Sequence, residues 1–158
     1  MFCENDHIAM CAALEEARCA GKRDEVPIGA VLVNNNTGVI VARAGNRSIE
    51  HSDPSAHAEM LVIRALCREL GVQRLPEYDL YVTLEPCPMC AAALSFARIR
   101  TLIFGASDPK SGGVTSAVNL YQFPQMHHKP IIKKGLMEEE CGHILKEFFA
   151  AKRNSGVL

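Results

Sequence analysis

The segment Pro86-Cys87-Pro88-Met89-Cys90 limits the possible folds most tightly. Its two prolines stiffen the backbone and exclude a helix immediately upstream. The apolar run Leu80 to Leu84 before it reads as a buried strand. The small-residue stretch Pro88 to Ala97 after it reads as a helix with proline at its start. A strand that passes straight into a helix belongs to an α/β architecture.

The remaining segments agree with that frame. Asp6 to Ala20 predicts a first helix, with Asp6 as N-cap and Gly21 just past its end. Ile28 to Val33 and Val39 to Ala44 flank an Asn-Asn-Asn-Thr-Gly turn and predict a hairpin. Asp53-Pro54 is a capping residue followed by proline, and predicts a helix running from there to about Leu70 with Gly71 as its stop. Thr101 to Ala106 predicts another strand, Asp108 to Gly113 a polar loop, and Ile131 to Lys133 a last short strand. Glu138, Glu139 and Glu140 open a final helix that Lys152 and Arg153 close, both placements suiting the helix dipole. The core order β-β-α-β-α-β-α implies helices packed on a mixed sheet with right-handed crossovers in its parallel part.

The chain has 158 residues, 48% of them apolar and 22% charged, which suits one globular domain spanning residues 1–158 and excludes a disordered, collagen-like or coiled-coil chain. The longest apolar run, Ile8 to Leu14, falls far short of the ~18 residues of a membrane span. No secretory signal is read at the acidic N-terminus. Seventeen Lys and Arg against eighteen Asp and Glu give a net charge of −1, so any nucleic-acid role needs local clustering of basic groups. Seven irregularly spaced cysteines do not form a disulfide framework, and a reducing, cytoplasmic setting is expected.

In that setting a close cysteine pair means metal or redox chemistry. Cys87 and Cys90, three positions apart at a helix start, face one point, and a helix N-terminus favours the thiolate that binds metal. His57 offers a neutral nitrogen. Two thiolates and one imidazole match a catalytic zinc site that keeps its fourth position for water. Glu59, two residues from His57, is the candidate proton shuttle. The competing reading is a structural zinc site closed by His51 or Cys67. Cys3, Cys11, Cys19, Cys67 and Cys141 are read as buried small hydrophobes, and Glu85 as a structural hydrogen-bonding group.

His57-Ala58-Glu59 followed by Pro86-Cys87-Pro88-Met89-Cys90 resembles the His-x-Glu…Pro-Cys-x-x-Cys signature known for zinc-dependent nucleobase deaminases. Further stretches resemble the bacterial tRNA-specific adenosine deaminases. They are Val26 to Val31, Asn46, Asp53 to Glu59, Tyr81 to Cys87, and Phe104-Gly105-Ala106-Ser107-Asp108-Pro109-Lys110-Ser111-Gly112. The likeness runs from about Ala9 to Arg153. It departs at Ala91-Ala92, where members commonly carry a glycine, and at His127-His128, where they often carry Asn-His.

The resemblance implies a cytidine deaminase-like three-layer α/β/α fold with a central mixed five-stranded sheet. It implies hydrolytic conversion of adenosine to inosine at the wobble position of a tRNA anticodon, with an arginine tRNA as the expected substrate, and a homodimer whose partner chain helps form the RNA surface. By resemblance, one Zn²⁺ per chain is held by His57, Cys87 and Cys90, and zinc-activated hydroxide attacks carbon 6 of a flipped-out adenine while Glu59 moves protons. Asn46 is then expected at the nucleoside. Ile28, Gly29 and Ala30 are expected at the base pocket, Pro86 among the substrate-binding residues, and Ser107, Asp108, Lys110 and the Phe148-Phe149 pair at the anticodon loop. One of that pair is expected to face the core. Lys110, Lys129, Lys133, Lys134, Lys146, Lys152 and Arg153 are the candidate phosphate contacts. A free-base guanine or cytosine deaminase and a non-catalytic zinc-stabilised RNA-binding module remain the alternatives.

Overall fold

The computed structural model describes residues 1–157. Four helices and five strands follow in the order α1 (Glu4–Lys22), β1 (Gly29–Asn34), β2 (Ile40–Gly45), α2 (Ala58–Leu70), β3 (Tyr78–Leu84), α3 (Pro88–Phe96), β4 (Thr101–Ala106), β5 (Ile131–Lys134) and α4 (Glu138–Asn154). A 3₁₀ turn, Leu120–Gln122, interrupts the long β4–β5 connection. The strands form one sheet in the order β2-β1-β3-β4-β5. β1 runs antiparallel to both β2 and β3, whereas β3, β4 and β5 run parallel. This is the mixed five-stranded sheet that the resemblance implied.

Strand side chains alternate between faces with a period of two. Ala30, Leu32, Leu80, Val82, Leu102 and Phe104 pack beneath α2 and α3 with Val62, Leu66 and Leu94. Val31, Val33, Tyr81 and Ile103 pack on the opposite face with Ala9, Ala13 and Leu14 of α1 and Cys141 of α4. The result is three layers, with α1 and α4 on one side and α2 and α3 on the other. α1 lies directly on the sheet. A β-carbon at Gly29 would sit 1.9 Å from the Ala13 carbonyl oxygen, so nothing larger than hydrogen fits there.

Two helix starts differ from the sequence expectation. α1 begins at Glu4 with Cys3 as N-cap, and Asp6 is its third residue, accepting the Cys3 N–H at 2.8 Å. Asp6 therefore acts as the reciprocal half of a capping box. Its second oxygen accepts the Tyr81 hydroxyl at 2.6 Å, which ties α1 to β3. α2 begins at Ala58, not at Asp53-Pro54. Asp53 Oδ1 instead accepts the Ser55 N–H and hydroxyl at 2.8 and 2.7 Å, closing an Asx turn before the helix. That turn makes His57 the N-cap residue of α2, in an extended conformation.

The cysteines also differ from expectation. Cys3, Cys11 and Cys19 are exposed, Cys67 is half-buried, and Cys141 is buried. The inward face of α1 carries Ala9, Ala13, Ala17 and Ala20, at spacings of four, four and three, which leaves Cys11 and Cys19 outside it.

Candidate metal centre and substrate cleft

The chemistry is assembled at the N-termini of two helices. Cys87 is the N-cap of α3, Pro88 occupies its first helical position, and Cys90 is its third residue. N-cap and third-residue side chains meet in capping geometry, which explains why a Cys-x-x-Cys pair here converges on one point. His57, the N-cap of α2, faces them. Its Nδ1 lies 3.6 Å from Cys87 Sγ and 3.5 Å from Cys90 Sγ. The three donor atoms all lie within 4.8 Å of one another. For zinc–sulfur and zinc–nitrogen bonds of ordinary length, ideal tetrahedral angles set the N···S edge at about 3.5–3.6 Å. The donor set therefore fits a tetrahedral zinc ion. Among the described residues no fourth His, Cys, Asp or Glu joins the group, so neither His51 nor Cys67 closes it.

The protonation pattern of the free donors also suits a cation. A hydrogen bond from the Cys90 thiol, outweighing burial and joined by the His57 ring, holds Cys87 down to about 4. The same contact with Cys87, reinforced by burial and by the Glu59 carboxylate, pushes Cys90 up. The hydrogen bond with Cys87 raises His57 despite burial. Two thiols this close resist double ionisation until a metal supplies positive charge.

Glu59 is only 4% exposed and sits in the first turn of α2. The Cys90 thiol points at its Oε2 from 3.5 Å. Burial pushes its carboxyl above the ordinary value. Asn46, also buried, places its Oδ1 2.9 Å from the Ala58 N–H and so caps α2 in place of the His57 side chain. This leaves the imidazole free to face the cysteines. The Asn46 N–H bonds the Ile28 carbonyl at 3.1 Å, linking the end of β2 to the strand beside it.

A third segment is held against the cysteines by Glu85, which is 2% exposed. Its Oε1 accepts the backbone N–H groups of Val114, Thr115 and Ser116, at 3.2, 2.7 and 2.9 Å. Its Oε2 accepts the Asp108 N–H at 3.0 Å and also takes the Ser116 hydroxyl. Against the upward push of burial, these donors hold Glu85 below its ordinary value. The Gly113 N–H closes on the Pro86 carbonyl at 2.7 Å, and a β-carbon at Gly113 would come within 2.5 Å of Pro88 N. Pro86 is thus buried beneath this loop, and the loop is seated directly over the start of α3.

Beside this loop lies a cleft of about 670 Å³. Ile28, Ser107, Asp108, Lys110 and Phe149, five of the residues expected at the substrate, line it together. Gly29 and Ala30 do not, because Gly29 is pressed on α1 and Ala30 is fully buried in the core beneath α2. Asp108 Oδ1 accepts the Lys110 and Ser111 N–H groups, both at 3.1 Å, so its side chain also shapes the turn. Leu145 lines the cleft and was not singled out from the sequence. Helical periodicity carries that signal, since Gly142, Leu145, Lys146, Phe149 and Arg153 form one stripe of α4.

The expected basic set is divided. Lys110, Lys146 and Arg153 stand at the cleft. Lys152 pairs with Asp24 and lies 5.4 Å above the Phe148 ring. Lys129 and His128 lie at the other end of the sheet. Neither Phe148 nor Phe149 enters the core. Both are half-buried and meet edge to face, with centroids 5.4 Å apart.

The cytidine and deoxycytidylate deaminase zinc-binding region matches residues 3–106. The tRNA-specific adenosine deaminase of Agrobacterium fabrum (strain C58) is 59% identical over 141 residues, covering 89% of this chain and 91% of that protein. The protein of the same name from Bacillus subtilis (strain 168) is 47% identical over 148 residues, covering 94% and 91%. A structure from studies of A-to-I editing by tRNA:A34 deaminases at the wobble position of transfer RNA superposes with a TM-score of 0.85 at 58% identity, over 87% of this chain and 99% of that one. A guanine deaminase structure from Nitrosomonas europaea shares the fold, with a TM-score of 0.79 at 21% identity over 91% of this chain and 84% of that one. With its donor set, its Glu59 and these relatives, the chain belongs to the cytidine and deoxycytidylate deaminase family and, within it, to the tRNA-specific adenosine deaminases.

Proposed function

We propose that this protein hydrolyses adenosine to inosine and ammonia at the wobble position of a tRNA anticodon, with arginine tRNA as the first substrate to test. The observation that carries the reading is the buried Glu59 carboxylate beside a three-donor set whose two nitrogen–sulfur edges match those of a tetrahedral zinc ion.

His57 Nδ1 and the Cys87 and Cys90 sulfurs hold the zinc ion. Bound there, zinc supplies the acidity that makes water a nucleophile near neutral pH. Glu59 takes one proton of the attacking water and passes it to the adenine ring nitrogen, then takes the second and passes it to the departing amine, which leaves as ammonia. General acid–base help of this kind contributes about 10²–10⁴-fold. Burial keeps bulk water from this carboxylate, so its proton exchanges with reactants at the centre. Asn46 holds the helix start that aims His57 and Glu59, and its amide faces the nucleoside. Deaminases of this kind take the target base out of its stack at a cost of a few kcal/mol. Ile28, Ser107, Asp108, Lys110 and Phe149 form the surface that receives the anticodon loop. Lys110, Lys146 and Arg153 supply positive charge there.

The whole chain forms one deaminase domain in this reading, and it works as a homodimer in the cytoplasm. Met89 and Phe96 of α3, with Val118 and Phe123 from the β4–β5 connection, leave large apolar side chains exposed on the helical layer that carries the cysteines. A second copy of the chain covers them. Among the described residues no helix is long and apolar enough to cross a membrane.

Incubation of the purified protein with an arginine tRNA transcript, followed by sequencing, tests the reading. The wobble adenosine is expected to read as guanosine, while free guanine, cytosine and adenine stay unchanged. Turnover of a free base with the tRNA left intact would replace this reading by the free-base alternative.

A further inference from the structure

We propose that a basic pocket at the opposite end of the sheet from the metal centre is a second RNA-backbone site, taking tRNA phosphates outside the anticodon loop. This rests on the tRNA reading above. The pocket, about 560 Å³, is lined by Arg74 from the α2–β3 connection, Arg98 and Arg100 from the α3–β4 connection, and His128, Lys129 and Ile131 around the start of β5. These connections lead into the amino ends of the parallel strands, whereas Cys87 and Asp108 follow the carboxyl ends. The six residues of β4 separate the two ends by about 20 Å at the usual rise of a strand.

Two observations point to an anionic ligand. Among the described residues, Arg74, Arg98 and Lys129 take part in no ion pair, and Arg100 pairs with Asp79 alone. Arg98 stands just past the end of α3 with φ of +58°, a left-handed position that ordinarily falls to glycine. A β-carbon there carries a conformational penalty, and such strain concentrates at functional positions. His128 is fixed beside them, donating Nε2–H to the Ile99 carbonyl at 2.6 Å.

Arginine forks match phosphate oxygens in pairs, and lysine adds a point charge. A small anion needs only one such cluster. Two clusters, this one and Lys110, Lys146 and Arg153 at the cleft, stand a sheet length apart and suit a polyanion that spans both. The anticodon loop occupies the first and backbone phosphates further along the tRNA occupy the second.

Inosine formation on the arginine tRNA transcript, measured over a potassium chloride series, tests this with Arg74→Gln/Lys129→Gln and with Arg98→Gly. Each variant is expected to raise KM about fivefold or more and to make the dependence of log KM on log salt shallower by about one per phosphate contact removed. Saturated turnover is expected to stay within about twofold, because the pocket is remote from the metal centre. Arg98→Gly separates charge from structure. It relieves the left-handed backbone, so it is expected to raise Tm while weakening the tRNA interaction. Unchanged KM and salt slope in proteins that still edit the tRNA would overturn the pocket alone, as would a fall in turnover at constant KM. Should the wild-type protein leave the tRNA unedited, the functional reading fails instead. Direct binding of the transcript by the same variants then decides the pocket, with equal affinity overturning it.

Discussion

Glu59 and Glu85 are both glutamates, both under 5% exposed, and both lie two residues from a proposed zinc ligand. Their surroundings differ. Glu85 is met by four backbone N–H groups and a serine hydroxyl, all from residues 108–116, and these hold it ionised despite burial. Glu59 is met by the Cys90 thiol and its own backbone N–H, and burial outweighs both, pushing its carboxyl toward the protonated form. A carboxylate whose lone pairs are filled by fixed donors has no capacity left for moving a proton. It can only hold the groups that donate to it. A carboxylate with empty lone pairs beside a cation site can accept and release one. Hydrogen-bond saturation thus separates the scaffold acid from the working acid, although burial and sequence position make them alike.

Substitutions should pull the two apart. Glu85→Ala leaves several buried N–H groups without an acceptor, and is expected to destabilise the fold by about 3–5 kcal/mol, read as a lower midpoint in urea unfolding. Deamination falls with it, because the Ser107–Ser116 segment loses its anchor. A third acid, Asp6, extends the comparison to the other face of the sheet. Like Glu85 it is filled, by the Tyr81 hydroxyl and the Cys3 N–H, and like Glu85 it is held below its ordinary value of 3.8 in spite of burial. Asp6→Asn is expected to lose about 1–3 kcal/mol at pH 7 with little change in turnover. A lowered carboxyl contributes stability that is fully present above the unfolded pKa and lost as pH falls through the folded one. The gap between wild type and Asp6→Asn should therefore narrow below about pH 4. A gap that widens on acidification would contradict the assignment. The smallest effect on stability is expected for Glu59→Gln, within about 1 kcal/mol. A large loss there would place Glu59 with the scaffold acids.

Much of the site was legible in the sequence because its signals are local. Cys87 and Cys90 three apart at a proline-started helix converge whatever surrounds them, and β4 occupies the same residues, Thr101 to Ala106, that its apolar run marked. The helix starts were less legible. Asp6 and Asp53 are residue types that cap helices, yet each was displaced by a partner outside its own segment. Tyr81, 75 positions away, claims Asp6, and Asn46 takes over the capping of α2. The position of Gly29 shows the same limit. Its motif suggested a base pocket, but only the packing of α1 reveals that the residue is small because a helix backbone lies against it. The exposed cysteines of α1 show that a residue type's average burial gives way to the phase of the helix that carries it.

The most direct measurement pairs zinc content with inosine formation on arginine tRNA for the wild-type protein and Glu59→Gln. One zinc per chain in both proteins, with inosine formation reduced about 10²–10⁴-fold or more in the variant, is the predicted result. Undiminished editing by Glu59→Gln, or loss of zinc along with the carboxylate, would contradict the account.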